Sequence, residues 1–280
     1  GSYFDGLARM NKQTGTCQDA TSLLQGNLNA GKPKVSCIIE DKNKNLWVGT
    51  YGSGLYKINL PTQHVTYYES TRNENDDWSI NRLPNDWISY LLEDKEGMIW
   101  IGTYKGLPVL NPQTDNFINY KKQNNLLPGY VVYSLLESSN GEIWAGTSEG
   151  LVCLNKDRLT PVLFTTADGL PSDIICGLAE DEKKNIWIST HQGISKLNPP
   201  EKKFINYYAG DGLQGNEFTR TAVFKDKRGK IFFGGTNGVT AFYPQDITEI
   251  KKEMNVLITG FHVANRPVKK GDKSGNNVIT

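Results

Sequence analysis

One pattern, centred on a tryptophan, returns along the 280-residue chain and constrains the fold more than any other feature. The copies read "IIEDKNKNLWVGTYGSGLYKIN" (38–59), "LLEDKEGMIWIGTYKGLPVLN" (91–111), "LLESSNGEIWAGTSEGLVCLN" (135–155), "LAEDEKKNIWISTHQGISKLN" (178–198) and a divergent "VFKDKRGKIFFGGTNGVTAFYP" (223–244). Their aromatic centres, Trp47, Trp100, Trp144, Trp187 and Phe232, stand 53, 44, 43 and 45 residues apart. A period of about 44 residues is that of a propeller blade and far too long for one coil of a β-helix. A residue found in every copy is assigned to packing; a residue that varies between copies is a candidate for chemistry.

Each copy parses into four short strands. The first carries an apolar pair three apart: Val35 and Ile38, Ile88 and Leu91, Val132 and Leu135, Ile175 and Leu178. That spacing places the pair on opposite faces of a strand, so both faces are expected to be buried between neighbouring blades. A tight turn follows, with Gly97, Gly141 and Gly229 where φ is expected to be positive, and Lys44 and Lys184 in their place in two copies, beside Asn43 and Asn185. The second strand carries the tryptophan and ends in a glycine (Gly49, Gly102, Gly146) that permits close backbone approach. The third stops at Asn or Asn-Pro, and a fourth, such as "NFINY" or "KFINYY", supplies alternating aromatics. The stretch "GLARMNKQTGT" (6–16) matches the third-strand motif "GLYKINLPTQ" and predicts a partial blade. The expected fold is all-β: a propeller of four-stranded blades, about five full repeats plus a partial one, which resolves the problem of exposed sheet edges by radial repetition.

Charge narrows the function. Thirty-one basic residues balance thirty acidic ones, without blocks, so no electrostatic footprint for nucleic acid exists. The longest apolar runs, such as "WISYLL", fall far below the roughly 20 residues needed to cross a bilayer, and no charged-then-apolar leader opens the chain. Membrane contact by this stretch is therefore not expected. Cys17, Cys37, Cys153 and Cys176 form no C-x-x-C pair and are read as small buried hydrophobes, with a disulfide left open.

Several tempting sites fail on context. "GTSEG" (146–150) fits G-x-S-x-G, but a nucleophile elbow needs a helix after the turn, and here a strand is expected. His64, His191 and His262 stand in different repeats or domains without metal-ligand spacing, so no metal and no cofactor are expected. "NENDDW" (73–78) begins like a calcium loop, then places Trp78 where glycine is needed and Pro84 where the bidentate glutamate belongs. The Glu-Asp pairs at 40–41, 93–94 and 180–181 resemble an acid and a base for glycoside cleavage; their repetition assigns them to turn capping instead. No catalytic residue is expected. The loops between second and third strands, and those between blades, emerge on one end of a propeller, where function concentrates. Tyr51, Trp78, Trp87, Tyr104, Lys105, His191 and Asn237 are the candidate ligand-binding residues there, since Tyr and Trp stack on sugar rings while their polar tips hydrogen-bond.

The pattern apolar-x-x-apolar-x-E-D-x-x-G-x-I-W-I-G-T-x-x-G-L-x-x-L-N-P, with its D-G-L-P linkers, resembles the two-component regulator propeller repeats in the sensing regions of hybrid histidine kinases of gut Bacteroidetes. The resemblance covers residues 6–247. Residues 1–248 are read as the propeller, and 249–280, with "NVLITGFHVANRPVKKGD" (255–272), resemble the opening of the immunoglobulin-like (Y_Y_Y) domain that follows such propellers, truncated here. The resemblance implies a non-enzymatic periplasmic sensor segment of an inner-membrane protein, responding to a glycan-derived oligosaccharide. A scaffold that contacts a homodimer partner or a neighbouring propeller is the alternative, and a polysaccharide lyase or glycosidase the more remote one.

Overall fold

The computed structural model describes residues 1, 6–24, 32–70, 83–119, 127, 131–155 and 161–248, and the backbone of 261–263 and 266–268. Strands β1 (Ala8–Met10) and β2 (Cys17–Asp19) pair as a hairpin, the expected partial blade. Four meanders of four antiparallel strands follow. Blade I is β3 (Val35–Glu40), β4 (Asn45–Thr50), β5 (Leu55–Asn59) and β6 (Val65–Tyr68); blade II is β7 (Ile88–Glu93), β8 (Ile99–Thr103), β9 (Pro108–Asn111) and β10 (Asn116–Asn119). Blade III is β11 (Val132–Glu137), β12 (Ile143–Thr147), β13 (Leu151–Leu154) and β14 (Pro161–Phe164); blade IV is β15 (Ile175–Glu180), β16 (Ile186–Thr190), β17 (Gly193–Asn198) and β18 (Lys203–Tyr207). Blade V has three strands among the described residues: β19 (Phe218–Lys225), β20 (Ile231–Gly235) and β21 (Gly238–Phe242). These belong to a compact unit, Gly1–Pro244, which ends short of the boundary expected at 248. In the second unit, Gln245–Thr280, β22 (Phe261–Val263) and β23 (Arg266–Val268) pair antiparallel.

The four tryptophans are buried in the seams between blades. Trp47 packs among Ile88, Leu91, Ile99 and Ile101 of blade II, Trp100 among Val132, Leu135, Ile143 and Ala145 of blade III, and Trp144 among Ile175, Leu178, Ile186 and Ile188 of blade IV. Each such burial contributes roughly 4–6 kcal/mol of transfer free energy, more than any single hydrogen bond in the blade. Glycine at the end of the second strand makes the approach possible: a Cβ on Gly49 would lie 2.7 Å from Ile88 Cγ2, and one on Gly146 2.6 Å from Ile175 Cγ2.

The apolar pairs correct one expectation. Val35 and Ile38 share one core cluster, as do Ile88 and Leu91, Val132 and Leu135, and Ile175 and Leu178, so each pair lies on one face. The reason is a bulge in every inner strand: between Val35 and Cys37, Ile88 and Tyr90, Val132 and Ser134, and Ile175 and Gly177, the inner strand advances two residues against one on its partner. The extra residue turns a spacing of three into a same-face spacing. The opposite face is filled by other residues, such as Ile39, which packs in the Trp47 cluster.

The repeated Glu-Asp pairs cap turns, as expected, and also join blades. Asp41 accepts from the Asn43 and Asn45 amides at 2.9 and 2.8 Å and from Trp47 Nε1 at 2.8 Å. Trp100 donates to Asp94 at 2.7 Å and Trp187 to Asp181 at 2.9 Å. Burial works against the charge on Asp41, but donors from Asn45, Trp47 and Asn43 outweigh it and hold the carboxyl below its ordinary value. Blade III has Ser138 at this place; its hydroxyl caps only Glu142 N at 3.2 Å, and the buried Trp144 Nε1 has no hydrogen-bond partner among the described residues. The glutamates reach to the preceding blade: Glu93 accepts from Lys42 N at 3.1 Å, Glu137 from Lys95 N at 2.9 Å and Glu180 from Ser139 N at 2.7 Å. At the last seam the polarity is reversed, with Lys225 in the glutamate's place, 2.9 Å from Glu182 of blade IV. The turn positions behave as the sequence predicts, with φ of 82° at Gly97 and 65° at both Lys44 and Lys184.

Candidate functional site

In an antiparallel meander the capped turns collect at one end of the propeller and the second-to-third-strand loops, with the blade linkers, at the other. At that loop end one hydrogen bond recurs: the residue after the second strand donates its amide to the carbonyl just before the inner strand. The pairs are Tyr51 to Lys34 at 2.9 Å, Tyr104 to Trp87 at 3.2 Å, Ser148 to Val131 at 3.1 Å and His191 to Ile174 at 3.3 Å. In blade V it is Thr236 that donates, to Glu217 at 3.3 Å, so Asn237 falls one position beyond the place expected for it. A common frame thus presents a different side chain in each blade. Ser148 lies between β12 and β13 with no helix following, so "GTSEG" lacks the context of a nucleophile elbow.

Three expected residues come together. Tyr51, Trp87 and Tyr104 form an edge-to-face cluster with ring centroids 6.1 Å apart for Tyr51–Trp87 and Tyr51–Tyr104, and 5.4 Å for Trp87–Tyr104. Trp87 remains 49% exposed, unlike the four seam tryptophans. Its backbone is pinned: it bridges Tyr51, and the preceding Asp86 carbonyl accepts from Gly52 N and Gly54 N at 3.0 and 3.1 Å. The Asp86 carboxylate in turn holds Ser70 N and Oγ at 2.6 and 2.8 Å. Such a rigid, half-exposed aromatic group offers ring faces for stacking and two phenol tips for hydrogen bonds at low entropic cost.

His191 belongs to a second cluster, which the sequence reading missed. It contains Tyr133, the bulge residue of β11, and Arg220 of β19, whose guanidinium carbon lies 4.5 Å from the Tyr133 ring centroid. Partial burial and the Arg220 charge push the His191 imidazole down, with Glu217 opposing. Burial pushes the Tyr133 phenol up, Arg220 opposes it, and Tyr104 adds to the rise, so Tyr104 stands within electrostatic reach of both clusters. Cys176, the bulge residue of β15, points its thiol at the Phe218 carbonyl, 3.3 Å away, and burial pushes it up to about 12. Cys37 and Cys153 are pushed to about 12 by the same cause, and all four cysteines are free; Cys17 is exposed, against expectation, because its two-stranded hairpin leaves it at the surface. The overlooked signal was spacing: Phe218 and Val223 occupy the apolar-pair positions of blade V but stand five apart instead of three.

Lys105 is exposed beside Tyr104, its amide bonded to Thr103 Oγ1 at 3.0 Å. Asn237 is exposed on blade V, its amide held by Gln214 Oε1 at 2.8 Å. Trp78 and the "NENDDW" stretch lie outside the described residues. Among the described residues, no group of three His, Cys, Asp or Glu side chains is placed to hold a metal ion.

Comparison with known proteins gives this frame a context. The family described as "Two component regulator propeller" matches residues 31–52, 82–105, 126–149 and 169–192, which fall in blades I to IV. The extracellular domain of the hybrid two component system BT3049 from B. thetaiotaomicron is 28% identical, with a TM-score of 0.74 over 88% of this chain and 32% of that one. That of BT4673 from the same organism is 20% identical, with a TM-score of 0.65 over 80% and 31%. Virginiamycin B lyase from Staphylococcus aureus, 14% identical with a TM-score of 0.55 over 74% of this chain and 69% of its own, shares the fold alone. The chain thus spans about a third of the length of the first two relatives. No curated protein sequence matches it. With the family's repeat in four successive blades and the same architecture in these solved structures, the chain carries two-component regulator propeller repeats.

Proposed function

We propose that this propeller is a non-catalytic sensor segment on the periplasmic side of a hybrid two-component system, and that its loop end receives a glycan-derived oligosaccharide. The observation that carries the reading is the Tyr51–Trp87–Tyr104 cluster: three aromatic rings from two blades, one of them half exposed, on a frame otherwise devoted to packing. A sugar ring presents an apolar C–H face and a polar rim, and this cluster complements both. The similarity to extracellular domains of two-component systems supports the extracytoplasmic setting. The hairpin of the second unit, on this reading, opens the immunoglobulin-like domain.

The test is a titration of oligosaccharides against tryptophan fluorescence and melting temperature. A binding sugar at a hundred times its Kd stabilises the fold by about 2.7 kcal/mol, a shift of several degrees. Trp87→Ala is expected to abolish the response; a broad panel without any shift overturns the reading. The second reading, a protein-contact surface, draws on the same exposed Trp87, and sedimentation at several concentrations separates the two.

A further inference from the structure

Resting on the oligosaccharide reading, we infer that the ligand carries an anionic group, a carboxylate or a sulfate, which docks on Arg220 beside Tyr133 and His191. The first support is the shape of β19. Between Phe218 and Val223 this strand advances five residues while β20 advances two, so its bulge holds three extra residues where the other blades hold one. The enlarged bulge carries Arg220 past blade IV, so that a residue of blade V rests on the Tyr133 ring of blade III, 4.5 Å from its centroid. Bulges re-aim side chains, and this one aims a cation across the inner strands onto Tyr133.

The second support is strain. Thr221, next to Arg220, has φ of +63°, a left-handed conformation that β-branched residues avoid. Such a conformation costs on the order of 1–3 kcal/mol and persists where the surrounding structure imposes it. The other four inner strands make do with a single-residue bulge and no β-branched residue at positive φ, so this conformation is particular to blade V.

The third is the chemistry left available. Arg220 is exposed and, among the described residues, forms no salt bridge. A guanidinium seated on an aromatic face keeps its in-plane N–H donors, whose fork matches the paired oxygens of a carboxylate or sulfate. The half-buried His191 imidazole adds a hydrogen-bonding group nearby, Tyr133 is itself buried beneath the guanidinium, and the Cys176 thiol is turned away to the Phe218 carbonyl. Glu217 and Glu149 are the acidic groups within electrostatic reach of the cluster. Glu217 is three residues from Arg220, and its charge opposes an anionic ligand.

The experiment is calorimetric titration of three size-matched tetrasaccharides, one containing glucuronate, one O-sulfated and one neutral, against the wild type, Arg220→Gln, Arg220→Lys and Glu217→Gln. At least one anionic sugar is expected to bind tenfold or more tighter than the neutral one, and which of the two does so identifies the group. Arg220→Gln is expected to erase that preference at unchanged melting temperature, Arg220→Lys to recover only part of it, and Glu217→Gln to tighten anionic binding a few-fold. Equal affinities for all three sugars, or a preference that survives Arg220→Gln, overturns the inference and leaves the oligosaccharide reading standing. No binding of any of the three overturns both.

Discussion

The two ends of the propeller are built on opposite rules. At the turn end the same groups recur in blade after blade: a carboxylate that caps the turn and holds the tryptophan, a neighbouring acid that reaches the previous blade, and a left-handed turn residue. At the loop end the same backbone hydrogen bond presents Tyr51, Tyr104, Ser148, His191 and Thr236 in turn. The difference teaches which end is held constant by packing and which is left free to vary from blade to blade. Blade III tests the rule from inside, because at its turn end Ser138 replaces the carboxylate and the Trp144 indole is left without an acceptor among the described residues.

The comparison breaks first at Asp94. Asp94→Ala leaves the buried Trp100 N–H without its acceptor and is expected to cost about 2–3 kcal/mol in urea unfolding; a cost below half of that refutes the structural weight given to the carboxylate. The converse change is smaller. Ser138→Asp gives blade III the acceptor it lacks and is expected to add about 1–2 kcal/mol, moderated by Glu142 beside it, and an unchanged denaturation midpoint would mean that the Trp144 N–H is already satisfied. Acid probes the same contact. Asp41 titrates below its ordinary 3.8 in the folded state, so its contribution is complete above that value and disappears as the pH falls through the native one. Melting curves from pH 6 to pH 2 are expected to show this loss, and Asp41→Asn to flatten it. The smallest effect belongs to the other end: Trp87→Ala is expected to change stability by no more than about 0.5–1 kcal/mol while removing the binding response, and a large loss of stability would make Trp87 part of the frame.

Much of the fold was legible because it is written five times. The period, the tryptophan seam and the left-handed lysines all follow from comparing copies, and Lys44 and Lys184 could be placed at positive φ only because glycine fills the same position elsewhere. What one strand hides, the copies hide together: an inner-strand bulge leaves an apolar pair three apart, and period-two reasoning then assigns the pair to opposite faces. The candidate site was half legible as a spatial grouping. Tyr51, Trp87 and Tyr104 stood out as large aromatics in loops, whereas Tyr133 and Arg220 lie within strands and meet only because β19 departs from the repeat. Contacts across the inner strands have no local periodicity to betray them.

The reversed seam between blades IV and V has a consequence for assembly. A chain of near-identical modules risks threading them in the wrong order, since any inner strand fits roughly against any seam. Where the backbone amides of Lys42 and Lys95 hold a glutamate, blade V would bring the ammonium of Lys225, which cannot accept them, and where Lys225 belongs, Glu182 would refuse an incoming glutamate. A weak surface ion pair thereby serves as an address, distinguishing the last module from its siblings through what it repels.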